Sequence, residues 1–467
     1  MWNVLLIEPD YKSKFPPLGL LRLSSYHKEA GDAVTFARGR VPWLQQLKWH
    51  RVYISSLFTW ELPRTVKTIQ YYSRSVESCS DIVVGGIGAT LYPSYIAEHV
   101  DCRVIEGPLD GPGIISGERR AISSYIPDYA LLDRIAYDYK PRDAYFCRVT
   151  RGCIRKCKFC AVPLLEPEFG FSNGVRTQVR HIEKRYGERQ DLIILDNNIL
   201  GIDDLEHVIA EIRELGFGTG SKRGSRKRSV DFNQGLDARL VTPKRARLLG
   251  SICLDPIRLA FDFDGMEPAY RAAVKRLASA GFRDFTTYVL FNFRDDPQSL
   301  YRRLRINLEL SRELQIMVSA FPMRFIPMND VHRRHIGPGW TWRYLRGIQC
   351  VLRATRGMVG PNPDFFKAAF GETFEEFIEI ISMPDRYIMY RNHFKNDGAR
   401  EWRRLYGALS LEKRRELIFL LGELHCSKDR RQRIRSSGEF RRLLEHYYPN
   451  GRTPRGTPND VLESAFG

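Results

Sequence analysis

From residue 4 to residue 320 short apolar runs alternate with stretches of helical period, and this alternation constrains the fold more than any other feature. Val4-Leu5-Leu6-Ile7, Val52-Tyr53-Ile54 and Ile82-Val83-Val84 have no polar face, the pattern of strands buried on both sides. Leu18 to Glu29 and Pro63 to Val76 have the length and periodicity of crossover helices between them. The first 125 residues therefore predict a small doubly wound α/β domain. Further strands are expected at Ala144 to Val149, Leu192 to Leu195, Val230 to Phe232, Ile257 to Phe263, Thr286 to Phe291 and Ile316 to Ala320. Leu205, Val208, Ile209, Ile212 and Leu215 recur at helical spacing before Gly216, a C-cap residue; Tyr270, Val274 and Leu277 do so before Gly281.

Past Pro327 the alternation stops and the pattern becomes helical. Ser410 stands as N-cap of a helix whose Leu417, Leu420, Leu421 and Leu424 make one apolar stripe. Trp340, Trp342 and Tyr344, with Phe365, Phe366, Phe370, Phe374 and Phe377, are read as packing between helices. The expected domains are 1–125, 126–330 and 331–467, and the Gly-, Pro- and Thr-rich tail from Pro449 reads as mobile.

The most unusual local feature is Cys153-Ile154-Arg155-Lys156-Cys157-Lys158-Phe159-Cys160, which follows the strand at Ala144 to Val149. Catalytic groups in (β/α) barrels sit at such a carboxyl end. Thiolates suit iron–sulfur clusters and zinc. A four-iron, four-sulfur cluster usually takes four cysteines, so three local thiols leave one iron open. The flanking Arg151, Arg155, Lys156 and Lys158 favour thiolate and offset the cluster's negative charge. Buried packing, a zinc site with Cys147 as fourth ligand, or a chance match are the rival readings. Cys147 itself points to one face of its strand and is read as core.

Of nine cysteines, the other six (Cys79, Cys102, Cys147, Cys253, Cys350, Cys426) are scattered singly, which argues against a disulfide framework. A reducing, cytosolic setting is expected. No run approaches the roughly 18 apolar residues of a membrane span, and the amino terminus lacks a signal-peptide pattern. The net charge of +18 fits either a polyanionic partner such as nucleic acid or a well-solvated surface. Two stretches concentrate it. Gly218 to Ser229 carries Lys222, Arg223, Arg226, Lys227 and Arg228 among small residues. It follows a helix and precedes a strand, so a barrel places it away from the cysteines, and it is read as a solvated or auxiliary-contact loop. Arg400 to Arg442 holds thirteen Lys/Arg against six Asp/Glu.

Cys153, Cys157 and Cys160, with Phe159, resemble the signature of the radical S-adenosylmethionine (radical SAM) enzymes. The resemblance implies that the three cysteines hold a 4Fe–4S cluster. It also implies that S-adenosylmethionine occupies the open iron and is cleaved to a 5′-deoxyadenosyl radical, with an electron from a flavodoxin- or ferredoxin-type donor. The six strands from residue 144 suit that family's partial (β/α)6 barrel. Asp196, Asn197 and Asn198 stand where the family binds the amino group of S-adenosylmethionine, although its commoner Gly-Gly-Glu is missing. Asn233, Gln234 and Asp237 are placed for ribose or substrate, and Asn292 and Arg294 for the adenosine or the methionine carboxylate. Each is also an ordinary strand-end turn or cap residue.

The amino-terminal part looks like the cobalamin-binding domain of many radical SAM enzymes, through Pro16-Pro17-Leu18-Gly19-Leu20, the Ser55-Ser56-Leu57 element and the double glycine Gly85-Gly86. The Asp-x-His-x-x-Gly element that supplies histidine to cobalt elsewhere is absent. Domains of this type bind cobalamin without that ligand, or keep the fold and bind nothing. The resemblance thus implies a radical SAM enzyme, with methyl transfer if cobalamin is bound and rearrangement or sulfur insertion if it is not. A methylthiotransferase is disfavoured, because its amino-terminal three-cysteine cluster and terminal RNA-binding barrel are not seen. The rival of another class is a zinc-stabilised nucleic-acid-binding protein.

Overall fold

The computed structural model describes residues 1–449 apart from Ser116 and Asp397, with Asn392 described by its backbone alone. The tail expected to be mobile, after Pro449, lies outside the described residues. Two compact units are present among the described residues: Met1–Ile257 with Ile326–Arg334, and Arg258–Phe325 with residues 335–449. The protein is a mixed α/β structure with parallel sheets.

The first unit opens with β1 (Asn3–Glu8), β2 (Ala33–Arg38), β3 (Arg51–Ser55), β4 (Ile82–Gly85) and β5 (Arg103–Val104). They form one parallel sheet in the order β2-β1-β3-β4-β5. The order changes direction between β1 and β3. In doubly wound sheets that switch point, beyond the carboxyl ends, is where ligands bind. The helix at Leu18–Glu29 lies where expected, whereas the next ends at Tyr72 because Ser73–Ser75 tightens into a 3₁₀ turn. β2 and β5 were not expected. Both are edge strands, half-exposed or only two residues long, and lack the two-sided apolar pattern.

At the end of β1, Glu8 is buried. It accepts hydrogen bonds from the Ser13 hydroxyl at 2.7 Å, Arg38 Nε at 2.6 Å and the Tyr139 hydroxyl. Burial pushes its carboxyl above the ordinary value although all three donors oppose this.

The second sheet of this unit contains β6 (Ala144–Cys147), β9 (Asp191–Ile194) and β12 (Val230–Phe232), parallel and in sequence order. Between them lie two small antiparallel pairs, β7 (Thr150–Arg151) with β8 (Gly170–Phe171), and β10 (Lys222–Arg223) with β11 (Arg226–Lys227). The segment read as a loop, 218–229, is therefore a hairpin.

The second unit holds β13 (Ile257–Ala260), β14 (Asp284–Phe291) and β15 (Met317–Arg324). All six strands expected after residue 143 exist, as two three-stranded sheets in which each strand lies beside its predecessor of the same sheet. Helices follow, as expected. Ser410 caps the helix Leu411–Cys426 by accepting from the Lys413 N–H, and Leu417, Leu421 and Leu424 face a core with Phe370, Phe377, Trp402 and Tyr406. No helix among the described residues is long and apolar enough to cross a membrane.

Candidate functional site

The cysteine loop leaves the carboxyl end of β6 and is fixed by two carboxylates, Asp196 buried and Glu166 half-buried. Asp196, just past β9, accepts hydrogen bonds from the Val149 N–H at 2.9 Å, the Thr150 N–H, and the Thr150 hydroxyl at 2.6 Å. Burial raises its carboxyl above the ordinary range against those donors. Glu166 accepts from Arg148, from the Gly152 N–H at 2.8 Å and from the Asn197 amide at 2.8 Å. Gly152 has φ +64°, and a Cβ there would lie 2.0 Å from the Glu168 carbonyl oxygen. Only a residue without a side chain lets the chain turn so tightly just before Cys153. Gly152→Ala is therefore expected to leave the protein folded but to displace the loop. Iron bound after anaerobic reconstitution should fall at least two-fold with unchanged far-UV circular dichroism; parental iron content would show that the turn does not set the thiols.

Each of the three thiols is partly exposed. Cys153 Sγ accepts from the Arg155 N–H at 3.3 Å and from the Asn198 amide at 3.5 Å. The Arg239 guanidinium lies close enough to Cys157 for their charges to interact. Asp237, 8% exposed, receives Arg239 Nε at 2.7 Å, Arg239 Nη2 at 3.0 Å and Arg155 Nε at 3.0 Å. Burial works to raise its carboxyl, but the bonds from Arg239 and Arg155 outweigh it and hold the group below the ordinary value. Asn198 and Asp237 are thus gathered around the cysteine loop, while Asp196 and Asn197 serve its backbone and its clamp. Phe159 is half-buried beside Cys160. Asn233 donates its N–H to the Ile194 carbonyl at 3.2 Å, and Gln234 is exposed. Glu166 and Arg239 were missed. Glu166 carries no local signal; Arg239, two residues after Asp237 in a strand-end loop, was legible as a partner for that carboxylate.

Among the described residues no three His, Cys, Asp or Glu side chains are close enough to hold one metal ion. A cluster does not ask for this, since each thiolate takes its own iron. Cys147 is 1% exposed within β6 and its thiol is pushed up by burial, so it is core, as expected. The three partly exposed thiols, with N–H and amide donors on Cys153 and the Arg239 guanidinium near Cys157, match a cluster's donor set.

At the switch point of the first sheet, Ser55 shares a 3.3 Å hydrogen bond with the Tyr11 hydroxyl, and Leu57 is half-buried. The Ser56 N–H donates to the Gly85 carbonyl and the Gly88 N–H to the Ser56 carbonyl, both at 2.8 Å. A Cβ on Gly86, at φ +103°, would lie 2.7 Å from the Ser56 carbonyl oxygen. The chain itself therefore requires a glycine there. The Ser56 hydroxyl is fully buried with no hydrogen-bond partner. His27 is held by Asp32 at 2.8 Å and by the Tyr53 hydroxyl at 3.0 Å. The short helix Ile87–Leu91, directly after Gly86, packs against Val162–Leu165, directly after Cys160. An ion pair between Asp110 and Arg151 also joins the two regions.

Asn292 and Arg294 belong to the second unit. Asn292 is fully buried at φ +70°. Its amide donates to the Phe325 and His335 carbonyls at 3.0 and 3.2 Å, and its oxygen accepts from the Gly337 N–H at 2.8 Å. Its polar atoms are thus engaged by backbone. Arg294 is exposed and lines a cavity of about 580 Å³ with Asp262, Phe263, Asp264, Phe293 and Asp295, beyond the carboxyl ends of β13 and β14. Arg303, 0% exposed, underlies this cavity: it donates to the carbonyls of Phe261, Asp262 and Leu290 at 3.1, 3.0 and 2.6 Å, and to Asp295 at 2.6 Å.

No family model and no curated protein sequence matches the chain. It is similar to the solved cobalamin-dependent S-adenosylmethionine radical enzyme OxsB with aqua-cobalamin and S-adenosylmethionine bound, at 14% identity and a TM-score of 0.48. That match covers 66% of this chain and 52% of OxsB, so it spans about half of that protein's length. A second OxsB structure, with aqua-cobalamin bound, is similar over 96% of this chain and 76% of its own, at 14% identity and a TM-score of 0.47. SuiB of Streptococcus suis, bound to its precursor peptide SuiA, is similar over 46% of each chain, at 12% identity and a TM-score of 0.31. Both OxsB structures are of a cobalamin-dependent S-adenosylmethionine radical enzyme.

Proposed function

We propose that the protein is a radical SAM enzyme in three parts: a cobalamin-binding-like domain at 1–125, a partial (β/α)6 barrel at 126–330 and a basic helical domain at 331–467. The observation that carries this reading is the loop of three partly exposed thiols fixed at the carboxyl end of β6. Cys153, Cys157 and Cys160 would hold a 4Fe–4S cluster, which when bound supplies the electron for reductive cleavage of S-adenosylmethionine.

The chain's own part is to hold and tune the thiols. Asn198 places a hydrogen bond on the Cys153 sulfur and Arg239 brings a positive charge to Cys157, which stabilises negative charge there. Asp237 orients Arg239 and Arg155 over the loop, and Asp196 and Glu166 stop its backbone from shifting. Phe159 shields the side of the loop next to Cys160. Asn233 and Gln234 are the nearest further candidates for a ribose or substrate. In the second unit Arg294 and its cavity would take the carboxylate or the nucleoside of the cosubstrate.

Cobalamin is the further cofactor we assign. Ser55, Ser56, Leu57, Gly85 and Gly86 line the switch point, and the orphaned Ser56 hydroxyl offers a polar group to a bound ligand. With His27 already engaged, no histidine of this domain's first helix is left for cobalt. Methyl transfer to a poorly nucleophilic atom is then the reaction; rearrangement or sulfur insertion is the alternative without cobalamin. A flavodoxin or ferredoxin in the cytosol would be the electron donor.

Protein expressed with cobalamin supplied and reconstituted without oxygen tests all of this. The expected result is about four irons and four sulfides per chain, a cobalamin absorption spectrum, and 5′-deoxyadenosine release on adding dithionite. One tightly held zinc with no such release would overturn the enzyme reading. Full iron without cobalamin would overturn methyl transfer alone.

A further inference from the structure

The β10–β11 hairpin concentrates positive charge in an arrangement that costs stability. Its register sets Lys222 opposite Lys227 and Arg223 opposite Arg226, two like-charged pairs facing each other across one short ladder. Directly opposed like charges weaken a strand pair, and a two-stranded ribbon is marginal on its own. The ribbon is held at its root instead. Arg228, 8% exposed, lies 3.9 Å from the Phe217 ring centre and donates to Glu188 at 2.9 Å and to the Arg189 and Gln190 carbonyls at 2.8 and 3.3 Å. The Gln190 amide donates to the Lys227 carbonyl at 2.8 Å, and the Thr219 hydroxyl to the Gly250 carbonyl at 2.6 Å.

Such an anchor makes the hairpin a fixed arm rather than a loose loop. Arg223 is neutralised by Asp143 at 3.0 Å and Glu188 at 3.5 Å. Lys222, Arg226 and Lys227 are exposed and form no ion pair among the described residues. Residues 218–229 contain no acid and no apolar side chain larger than glycine; every one is Gly, Ser, Thr, Lys or Arg.

That composition selects the partner. Protein interfaces rest on buried aromatic and aliphatic anchors, and the arm has none. Phosphodiester backbones are contacted by Lys, Arg, Ser, Thr and backbone N–H groups, which is all the arm offers. A two-stranded ribbon also fits within a nucleic-acid groove.

We infer that the β10–β11 arm docks the phosphate backbone of a nucleic acid. Because Lys227 and Arg228 lie beside Gln190, just before β9, the arm stands at the opposite end of the sheet from the cysteine loop after β6. A strand held there is anchored, not chemically altered.

The test uses the full-length protein and fluorescein-labelled RNA and DNA strands of about 20 nucleotides, with binding read by anisotropy from 50 to 200 mM salt. Three phosphate contacts on a single strand contribute about 2 to the slope of log affinity against log salt, roughly 10- to 100-fold in affinity near 0.1 M. The triple variant Lys222→Ala, Arg226→Ala, Lys227→Ala is expected to lose both, with an unchanged or higher thermal midpoint because the opposed charges are gone. Parental affinity and slope in that variant would overturn the inference, as would absence of parental binding at 50 mM salt. So would equal competition by a polyglutamate of matched charge, which would make the arm a site for acidic polypeptides. None of these readouts needs the cluster, so the inference can fail while the enzyme reading stands.

Discussion

Cys157→Ala is expected to reduce reconstituted iron from about four per chain to well under one and to bring 5′-deoxyadenosine release to background. The thiol is one of three, and Cys153 and Cys160 cannot replace it because each would already hold an iron. Changing the partners of ligands typically costs about 10- to 100-fold in metal affinity or activity, and loss of a ligand costs more. Cys147→Ala is the matched control. That thiol is 1% exposed in β6, so its loss should lower the thermal midpoint slightly and leave iron and turnover intact. Equal iron in Cys157→Ala and the parent would remove the basis for the cluster. Loss of iron in Cys147→Ala with a parental melting curve would instead bring Cys147 into the ligand set.

The strands of the first sheet that could be read in the sequence are those whose two faces are both covered. Val4 to Ile7 are each 0% exposed, and Val52 and Ile82 to Val84 are nearly so, which leaves only apolar residues in the run. Ala33–Arg38 sits at the sheet edge, where Thr35 and Arg38 interrupt the apolar run, and this hid it. Ser410 was legible because an N-cap is a local device, satisfied three residues on by the Lys413 N–H.

Partners that meet only in three dimensions were not legible. Arg155 and Asp237 are 82 positions apart, and nothing in either neighbourhood announces the other. Asn292 shows the opposite limit. A strand-end asparagine reads the same whether it reaches a ligand or braces the chain, and full burial with three backbone partners is visible only once the second unit has folded. The hairpin at 222–227 was hidden for a related reason: with strands two residues long, no alternation exists to be read.

Arg303→Met should have the largest effect on stability. The guanidinium is 0% exposed and is the common donor to three carbonyls at the ends of β13 and β14 and to the Asp295 carboxylate. Methionine fills much of the volume but supplies no donor. Breaking a buried ion pair from one side costs about 3–5 kcal/mol, because the remaining charge is left without compensation. For a unit of about 150–250 residues this lowers the midpoint by roughly 2–4 °C per kcal/mol, on the order of 10 °C in all.

The sign of the pH dependence provides an independent check. Burial already holds the Asp295 carboxyl above its ordinary value of 3.8, with Arg303 as the main opposing influence. Removing Arg303 raises it further. A carboxyl whose folded value is raised gives stability that is full below the unfolded value and lost as pH rises through the folded one. The deficit of Arg303→Met should therefore be smallest near pH 4 and grow toward neutrality, whereas an effect of lost packing would be the same at every pH. A uniform deficit across that range would assign Arg303 to packing; a deficit that grows with pH would assign it to the carboxylate, and with it the shape of the cavity beside Arg294.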